Sequence, residues 1–219
     1  AHEIKNPLTP IQLASDRLLK KYRPADQKDA DQFEEYVKVI TRQVDDIGRM
    51  VDEFSAFARM PQPKMERNSL LEIVNGQISL LSSKSLELKV EIDNAANDYG
   101  TVCDAGLVRQ ALTNLLQNSK DSLEEHRVID PNILIAMASE DDMIAITITD
   151  NGPGFPEMDL GKLLEPYVTT RQKGTGLGLA IVSKIMEDHR GTMHLGSADN
   201  NGALVCLKFP IHATMRDEK

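Results

Sequence analysis

The strongest constraint on the fold is an apolar repeat that begins near residue 33. Its members are separated by alternating steps of four and three residues: Phe33, Val37, Ile40, Val44, Ile47, Val51, Phe54 and Ala58. Heptad spacing of this kind places side chains along one seam of a helix. A single helical hairpin would leave part of that seam in water, whereas two hairpins joined in a four-helix bundle would bury it. The repeat therefore predicts a helix that requires a second copy of the chain.

A shorter apolar stripe precedes this helix and predicts its partner in a hairpin. The stripe contains Ile4, Leu8, Ile11, Leu18 and Leu19, with Ser15 as an interruption. The proline at residue 24 predicts a break between the two helices, because the residue before a proline avoids helical angles. The sequence Pro61-Gln62-Pro63 ends the second helix. Residues 1–60 are therefore predicted to form one half of a dimeric bundle, and residues 61–219 a second domain.

The second domain shows a mixture of helical and strand patterns. Apolar residues at helical spacing predict helices over residues 70–81, 105–125 and 176–189. Alternating or continuous apolar runs predict strands over residues 86–92, 133–138, 143–149, 193–195 and 203–209. This order predicts an α/β sandwich in which one mixed sheet is covered by helices on a single face. The predicted fold class of the whole chain is α+β.

Composition excludes some partners and says less about others. The 34 acidic residues outnumber the 25 basic ones, and the net charge of -9 argues against nucleic-acid binding. No apolar run approaches the roughly 20 residues of a membrane span. Because the sequence lacks an initiator methionine, we expect a fragment that reaches a membrane only through upstream segments. Cys103 and Cys206 have no metal-ligand spacing, and we expect buried, reduced thiols.

The chain begins with a reactive combination of residues, Ala1-His2-Glu3-Ile4-Lys5-Asn6-Pro7-Leu8. His2 and Asn6 are four residues apart and share a face of a helix. Glu3 lies beside His2, where a carboxylate can orient an imidazole or accept its proton. The three residues supply a nucleophile, a base and an amide suited to positioning a water molecule. Alternatively, Asn6 only satisfies a local backbone group ahead of Pro7.

Two asparagines on the predicted 105–125 helix form a second candidate site. Asn114 and Asn118 are four residues apart and lie opposite the apolar face. An amide oxygen is a suitable ligand for Mg²⁺, which binds oxygen and keeps much of its water. The alternative interpretation is a pair of solvated surface amides.

The third candidate site is Asp150-Asn151-Gly152-Pro153-Gly154, which directly follows a predicted strand. A carboxylate at a strand end can accept a hydrogen bond from the exocyclic amine of a purine. Gly152 and Gly154 would let the backbone approach the base closely. Turn chemistry alone would also explain this sequence.

A glycine-rich loop opens the last predicted helix with Gly174-Thr175-Gly176-Leu177-Gly178. Backbone N–H groups at a helix start bind phosphates. Thr170 and Arg171 stand just upstream and supply a hydroxyl and a guanidinium. A dinucleotide site fits poorly, because no strand runs directly into the loop and no acidic residue follows at the usual distance.

In this order and at these spacings, the motifs resemble a two-component sensor histidine kinase over essentially the whole chain. Residues 1–60 resemble the dimerisation and phosphotransfer hairpin, and residues 61–219 the Bergerat-type ATP-binding domain shared with Hsp90, gyrase B and MutL. The stretch from His2 to Arg17 and the short segment before the glycine loop are similar to NtrY-type nitrogen-regulation kinases. The resemblance implies that ATP and Mg²⁺ serve to phosphorylate His2. It also implies a homodimer through residues 1–60, and transfer to an aspartate on the receiver domain of a response regulator.

The resemblance also implies roles for the remaining residues. Asn118 would be the Mg²⁺ ligand and Asp150 the adenine-binding carboxylate, with Glu3 and Asn6 also suited to dephosphorylating the regulator. The lid and phosphate cradle would comprise Arg171, Lys173, Gly174, Thr175, Gly176, Leu177 and Gly178, with Asn114 and Thr170 beside them. We expect this part of the protein to be the cytoplasmic portion of an inner-membrane sensor.

Two positions depart from the pattern of the family. Asp121 stands where many members have a lysine, and Leu164 where a phenylalanine is usual. Arg171 or Lys173 would then supply the missing phosphate contact. Two other functions stay open: an ATPase or serine kinase of the same fold without histidine chemistry, and a degenerate kinase that acts as a scaffold for a regulator.

Overall fold

The computed structural model describes residues 2–22, 27–58, 60, 62–81, 87–92, 99–157, 159–169, 174–199 and 201–211. The chain divides into two compact units. The hairpin unit comprises residues 1–61 and 171–175, and the sheet unit comprises residues 62–170 and 176–219.

The hairpin unit is built from α1 (His2–Lys21) and α2 (Gln27–Ala58). Alternate members of the heptad seam are buried in its interior, with exposed fractions of 2%, 6% and 9% for Val37, Val44 and Val51. The members between them are exposed, at 43%, 41% and 46% for Ile40, Ile47 and Phe54. The expectation that a lone hairpin leaves apolar seam residues in water is therefore confirmed.

Polar side chains also contribute to the packing of the hairpin. Ser15, which interrupts the apolar stripe of α1, is buried, and its Oγ donates a hydrogen bond of 3.0 Å to the carbonyl oxygen of Ile11. A buried hydroxyl is costly unless it is paired, and this bond to the preceding turn satisfies it. Gln12 Nε2 donates to Asp45 Oδ1 over 3.0 Å and joins the two helices.

The sheet unit contains a five-stranded sheet and a two-stranded one. The five strands lie in the order β2 (Glu87–Ile92), β4 (Asn132–Glu140), β5 (Met143–Asp150), β7 (Ala203–Pro210) and β6 (Thr192–Ser197). Strand β2 is parallel to β4, and all other neighbours are antiparallel, so the predicted mixed sheet is confirmed. Strands β1 (Glu66–Ser69) and β3 (Gly100–Cys103) pair with each other in antiparallel fashion.

Among the described residues, three α-helices and one 3₁₀ helix complete this unit. They are α3 (Leu70–Leu81), α4 (Ala105–Glu125), the 3₁₀ helix Leu160–Leu164 and α5 (Gly178–Asp188). Helix α4 contacts α3, α5 and the central strands, and α5 contacts β6. The core between helices and sheet includes Leu112, Leu115, Leu116, Ile133, Ile135, Ile144, Ile146, Val182, Leu207 and Phe209.

Two parts of the fold differ from the sequence-based prediction. Strands β1 and β3 were not predicted, because four-residue strands of mixed polarity gain their stability from pairing with a distant segment. Helix α5 begins at Gly178 rather than at the predicted Gly176, because Gly176 has a φ of +70°, which ends helical geometry. Residue 86 of the predicted 86–92 strand lies outside the described residues.

Candidate functional site

The carboxylate of Asp150 is the best-anchored polar group of the candidate site. Asp150 is the last residue of β5 and is only 3% exposed. Its Oδ1 accepts hydrogen bonds from the backbone N–H groups of Gly152, at 3.0 Å, and Ala203, at 3.2 Å. Both hydrogen bonds that described residues donate to this carboxylate therefore end on Oδ1. Oδ2 accepts none from the described residues. The sequence carries no signal for Ala203, because its contribution is a backbone N–H.

Two glycines bring backbone close to this carboxylate. A Cβ atom on Gly152 would lie 3.0 Å from Asp150 Oδ1 and 3.5 Å from Ser122 Oγ. Gly154 has a φ of +77°, and a Cβ there would lie 2.5 Å from the carbonyl oxygen of Asn201. Gly154 is therefore required by both its backbone angle and its close approach to the β6–β7 turn.

Asn114 and Asn118 project from α4, which a well-formed N-cap begins. Asp104 caps the helix, with Oδ1 accepting from the N–H groups of Gly106 and Leu107. The Nδ2 atom of Asn114 is buried and has no hydrogen-bond partner among the described residues. A buried donor without a partner is costly, and a bound anionic group would satisfy it. Asn114 is thus an unsatisfied donor suited to a phosphate oxygen.

Asn118 lies against the start of α5, where the predicted phosphate loop ends. A Cβ on Gly178 would be 3.4 Å from Asn118 Nδ2 and 3.8 Å from its Oδ1. The structure therefore brings together an amide of α4 and the N-terminal turn of α5, two features predicted from segments about sixty residues apart.

The glycine loop has the backbone geometry of a tight connection. A Cβ on Gly176 would lie 2.5 Å from the carbonyl carbon of Tyr167, and the Gly176 carbonyl oxygen accepts from the N–H of Tyr167 at 3.1 Å. Leu177 is 1% exposed, so its side chain belongs to the core. Its predicted binding role can therefore involve only its backbone, at the positive end of α5.

Some of the remaining predicted site residues lie within the described part of the chain and others lie outside it. Thr170, Arg171 and Lys173 lie outside the described residues. His2, Glu3 and Asn6 belong to the first turns of α1, and their side chains lie outside the described part. Gly174 and Thr175 are described and belong to the hairpin unit.

The two departures from the family pattern have local structural roles. Asp121 Oδ1 accepts a hydrogen bond of 2.6 Å from Gln117 Nε2, one turn earlier on α4. Leu164 is half-buried at the end of the 3₁₀ helix, and its neighbour Leu163 is buried. The apolar anchor of this segment is therefore Leu163.

A second polar cluster, formed by Asp104 and His189, joins the start of α4 to the end of α5. The backbone N–H of Asp104 donates a hydrogen bond of 2.9 Å to Nε2 of the buried His189. The Nδ1 atom of His189 lies 2.7 Å from the carbonyl oxygen of Ile185. Burial opposes the shift, but hydrogen bonds from the N–H groups of Lys64, Leu107 and Gly106 hold the pKa of Asp104 below its usual value. His189 is thus a core residue that ties the end of α5 to the start of α4.

Cys103 and Cys206 are free thiols, as predicted, but the expected burial holds only for Cys103. Burial, followed by the nearby carboxylate of Asp104, raises the pKa of Cys103 to about 11. Cys103 is therefore a protonated packing residue, while Cys206 is half-buried in β7.

The described residues meet the requirements neither of a metal site built from charged or sulfur ligands nor of a membrane-spanning helix. They contain no group of three or more His, Cys, Asp or Glu side chains placed to hold a metal ion. None of the helices in the described ranges has the length and apolar character needed to span a bilayer.

Comparison with protein families identifies the fold of the site. The family described as histidine kinase-, DNA gyrase B- and HSP90-like ATPase matches residues 103–213, which contain Asn114, Asn118, Asp150 and the glycine loop. The chain belongs to this ATPase family. The His kinase A phospho-acceptor domain matches residues 1–63, and His2 lies in that match. The resemblance predicted from the motifs is thereby confirmed.

Relatives of this ATPase family member include sensor kinases. The nitrogen regulation protein NtrY of Azorhizobium caulinodans is 43% identical over 214 residues, covering 94% of this chain and 27% of that protein. An NtrY-like sensor histidine kinase of Rickettsia felis is 39% identical over 211 residues, covering 96% of this chain and 35% of that protein. The chain therefore spans about a third of the length of such relatives.

Solved histidine kinases share the fold of this ATPase family member. ThkA in complex with the response regulator TrrA matches with a TM-score of 0.69 and 23% identity, over 97% of this chain and 60% of that one. Full-length ShkA in complex with AMPPNP matches with a TM-score of 0.68 and 22% identity, over 97% of this chain and 45% of that one.

Proposed function

We propose that this chain is the catalytic core of a sensor histidine kinase, which phosphorylates His2 from Mg-ATP and passes the phosphoryl group to an aspartate of a response regulator. One observation carries the proposal. A phospho-acceptor domain matched at residues 1–63 and an ATPase domain matched at residues 103–213 occur in one chain. An ATPase that lacks histidine chemistry has no need of the first domain.

The nucleotide would bind in the sheet unit with its base at Asp150. Oδ1 is held by two backbone N–H groups, which would leave Oδ2 to accept from the exocyclic amine of adenine. The close backbone at Gly152 and Gly154 would form the wall around the base. The phosphates would meet the Asn114 amide and the N-terminus of α5, where the positive end of the helix dipole favours negative charge. A nucleotide analogue bound to the structurally similar ShkA supports this assignment.

Magnesium fits the same site. The amide oxygen of Asn118 would be the protein ligand, together with phosphate and water oxygens. When bound, the cation would neutralise charge that develops on the transferred phosphoryl group.

The phosphoacceptor chemistry belongs to the first turns of α1. The neutral imidazole of His2 would attack the γ-phosphorus; a P–N bond forms while the bond to the ADP oxygen breaks. Glu3 would hold the other ring nitrogen and accept the proton released from the imidazole. Histidine suits this role because its ordinary pKa of about 6.5 leaves most of it neutral at pH 7. Asn6 would position water when the regulator is dephosphorylated.

The partners follow from the hairpin unit. The apolar residues Ile40, Ile47 and Phe54 would be covered by the same residues of a second copy, through residues 1–60. The receiver domain of a response regulator would dock beside His2, as supported by the complex that the similar ThkA forms with TrrA. We propose that this core is the cytoplasmic portion of a membrane-anchored sensor, since the sensor kinases it resembles are about three times longer and have room for sensing and anchoring segments.

The test is phosphorylation of the native protein that contains this chain. With γ-labelled ATP, His2→Gln should abolish labelling while leaving ATP affinity unchanged by calorimetry. His194→Gln, at an exposed histidine of β6, is the matched control and should label normally. Wild-type labelling in His2→Gln would overturn the assignment of His2.

A further inference from the structure

The side chain of Asn151 extends the pairing of two strands beyond the end of their ladder. The last ladder pair joins Ile133 of β4 to Asp150 of β5. One residue farther, Asn151 Oδ1 accepts from the N–H of Asn132 at 2.9 Å, and Asn151 Nδ2 donates to the carbonyl oxygen of Asp130 at 3.0 Å. The backbone N–H of Asn151 also donates to the Asn132 carbonyl oxygen, at 3.4 Å. One amide thus satisfies a backbone donor at the first residue of β4, Asn132, and a backbone acceptor in the loop that connects α4 to β4, at Asp130.

This loop has an unusual backbone that needs such support. Arg127 and Asp130 have φ values of 49° and 52°, in the left-handed region that residues other than glycine seldom adopt. The amide of Asn151 bonds directly to the carbonyl of Asp130, the second of these residues. A left-handed residue persists only where its surroundings hold it, and Asn151 is one of the groups that do so.

The same peptide segment carries the adenine-binding carboxylate. Asp150 faces the core and is anchored to β7 through the N–H of Ala203, while Asn151 is anchored to the α4–β4 loop. The chain at this point is therefore fixed from two sides. We propose that Asn151 is a positioning residue, which fixes the direction of the Asp150 carboxylate and thereby the preference for adenine over guanine. This inference rests on the proposed ATP-binding function.

The chemistry of an amide explains why this position requires asparagine. Asn151 must accept from one backbone group and donate to another, and among side chains of this length only an amide does both. An aspartate would keep the bond to the Asn132 N–H but would turn an acceptor toward the carbonyl of Asp130. An alanine would lose both bonds.

The experiment measures ATP and GTP affinities by calorimetry with Mg²⁺ on the full chain. The variants are Asn151→Ala, Asn151→Asp and Asp150→Asn. Asn132→Ala is the matched control, because it keeps both backbone groups that Asn151 uses. We expect the wild type to prefer ATP and Asn132→Ala to keep that preference. Asp150→Asn should shift it toward GTP, since an amide donor then faces the base.

Asn151→Ala should lower the ratio of ATP affinity to GTP affinity by about tenfold, because ATP binding weakens while GTP affinity is unchanged. The ratio for Asn151→Asp should lie between those of Asn151→Ala and the wild type. An equal fall in both affinities would show a merely structural role and overturn the inference. If Asn151→Ala does not fold, Asn151→Asp carries the same comparison. If Asp150→Asn loses the preference for ATP but the Asn151 variants keep it at the wild-type level, the role of Asn151 would be overturned while the Asp150 assignment would stand. No preference in the wild type would overturn the Asp150 assignment as well.

Discussion

The hairpin unit and the sheet unit bury their apolar residues in different ways. In the sheet unit, large side chains on the strands are enclosed almost completely, including Ile133, Ile135, Ile144, Ile146 and Phe209. In the hairpin unit, alternate members of one heptad seam stay exposed by 41% to 46%, at Ile40, Ile47 and Phe54. A row of exposed apolar residues marks an interaction surface on a soluble domain. The described part of the sheet unit therefore encloses its large apolar residues within one chain, whereas the hairpin unit leaves a row exposed, as the proposed dimer requires.

The two units also differ in where unusual backbone occurs. Every described residue with a positive φ belongs to the sheet unit: Arg127, Asp130, Asp141, Gly154, Tyr167, Gly176, Arg190 and Asn201. Several of them lie beside the candidate nucleotide site, where such conformations tend to collect. The hairpin unit consists of regular helices, and the feature that we expect to direct its association is the exposed apolar row of α2. Substitutions should therefore act on binding and folding in one unit, and on association in the other.

The largest effect is expected for Asn118→Ala in the sheet unit. Loss of the proposed Mg²⁺ ligand should weaken Mg-ATP binding by at least about 100-fold, because loss of a residue that only orients a metal ligand already costs roughly 10–100-fold in affinity. Calorimetry measures the affinity, and Asn75→Ala, at an exposed asparagine of α3, is the control. Unchanged affinity in Asn118→Ala would place the cation elsewhere.

A pair of glycine substitutions sharpens the contrast in backbone. Gly154→Ala should lower the free energy of unfolding of the sheet unit by about 2–3 kcal/mol, because the alanine would be left-handed and would clash with the Asn201 carbonyl. Gly48→Ala in α2 meets open space and should stabilise the hairpin by about 0.5–1 kcal/mol. Urea unfolding measures both. Equal effects in the two units would contradict this contrast.

Ile47→Glu tests the requirement of the hairpin for a partner. Ile47 is 41% exposed in one chain, and the loss of its proposed burial in each of two copies should weaken dimerisation by about 2 kcal/mol, roughly thirtyfold in dissociation constant, without changing ATP affinity. Arg42→Gln gives the same change in charge at another exposed position of α2 and should leave the dimer intact. Sedimentation measures association, and an unaffected dimer would show that the seam is not the interface.

The smallest effect concerns the pH dependence of the sheet unit. The pKa of Asp104 is below its usual value in the folded chain, so its ionised form stabilises the fold above the unfolded value of about 3.8. That contribution is lost as the pH falls through the lower folded value. As the pH falls below about 3.8, the wild type should therefore lose more unfolding free energy than Asp104→Asn. Parallel curves for the two proteins would show that Asp104 does not contribute.

The sequence predicted those features that local pattern controls. Alternation revealed β4 and β5, heptad spacing revealed the exposed row of α2, and the spacing of Asn114 and Asn118 placed both on α4. Features that depend on distant backbone could not be read in this way. The pairing of β1 with β3 joins segments more than thirty residues apart, and the N–H of Ala203 that holds Asp150 has no residue signature. The cap at Asp104 was not predicted either, although an aspartate directly before an apolar helix is a recognised start signal.

The most direct test of the central claim is to map the phosphorylated residue of the native protein. After incubation with Mg²⁺ and γ-labelled ATP, the label should be stable in base, be lost in acid and reside in the peptide that contains His2. That result would establish the hairpin unit as the acceptor for the nucleotide site of the sheet unit. Acid-stable label on a serine or threonine, or ATP turnover with no phosphate on His2, would contradict it.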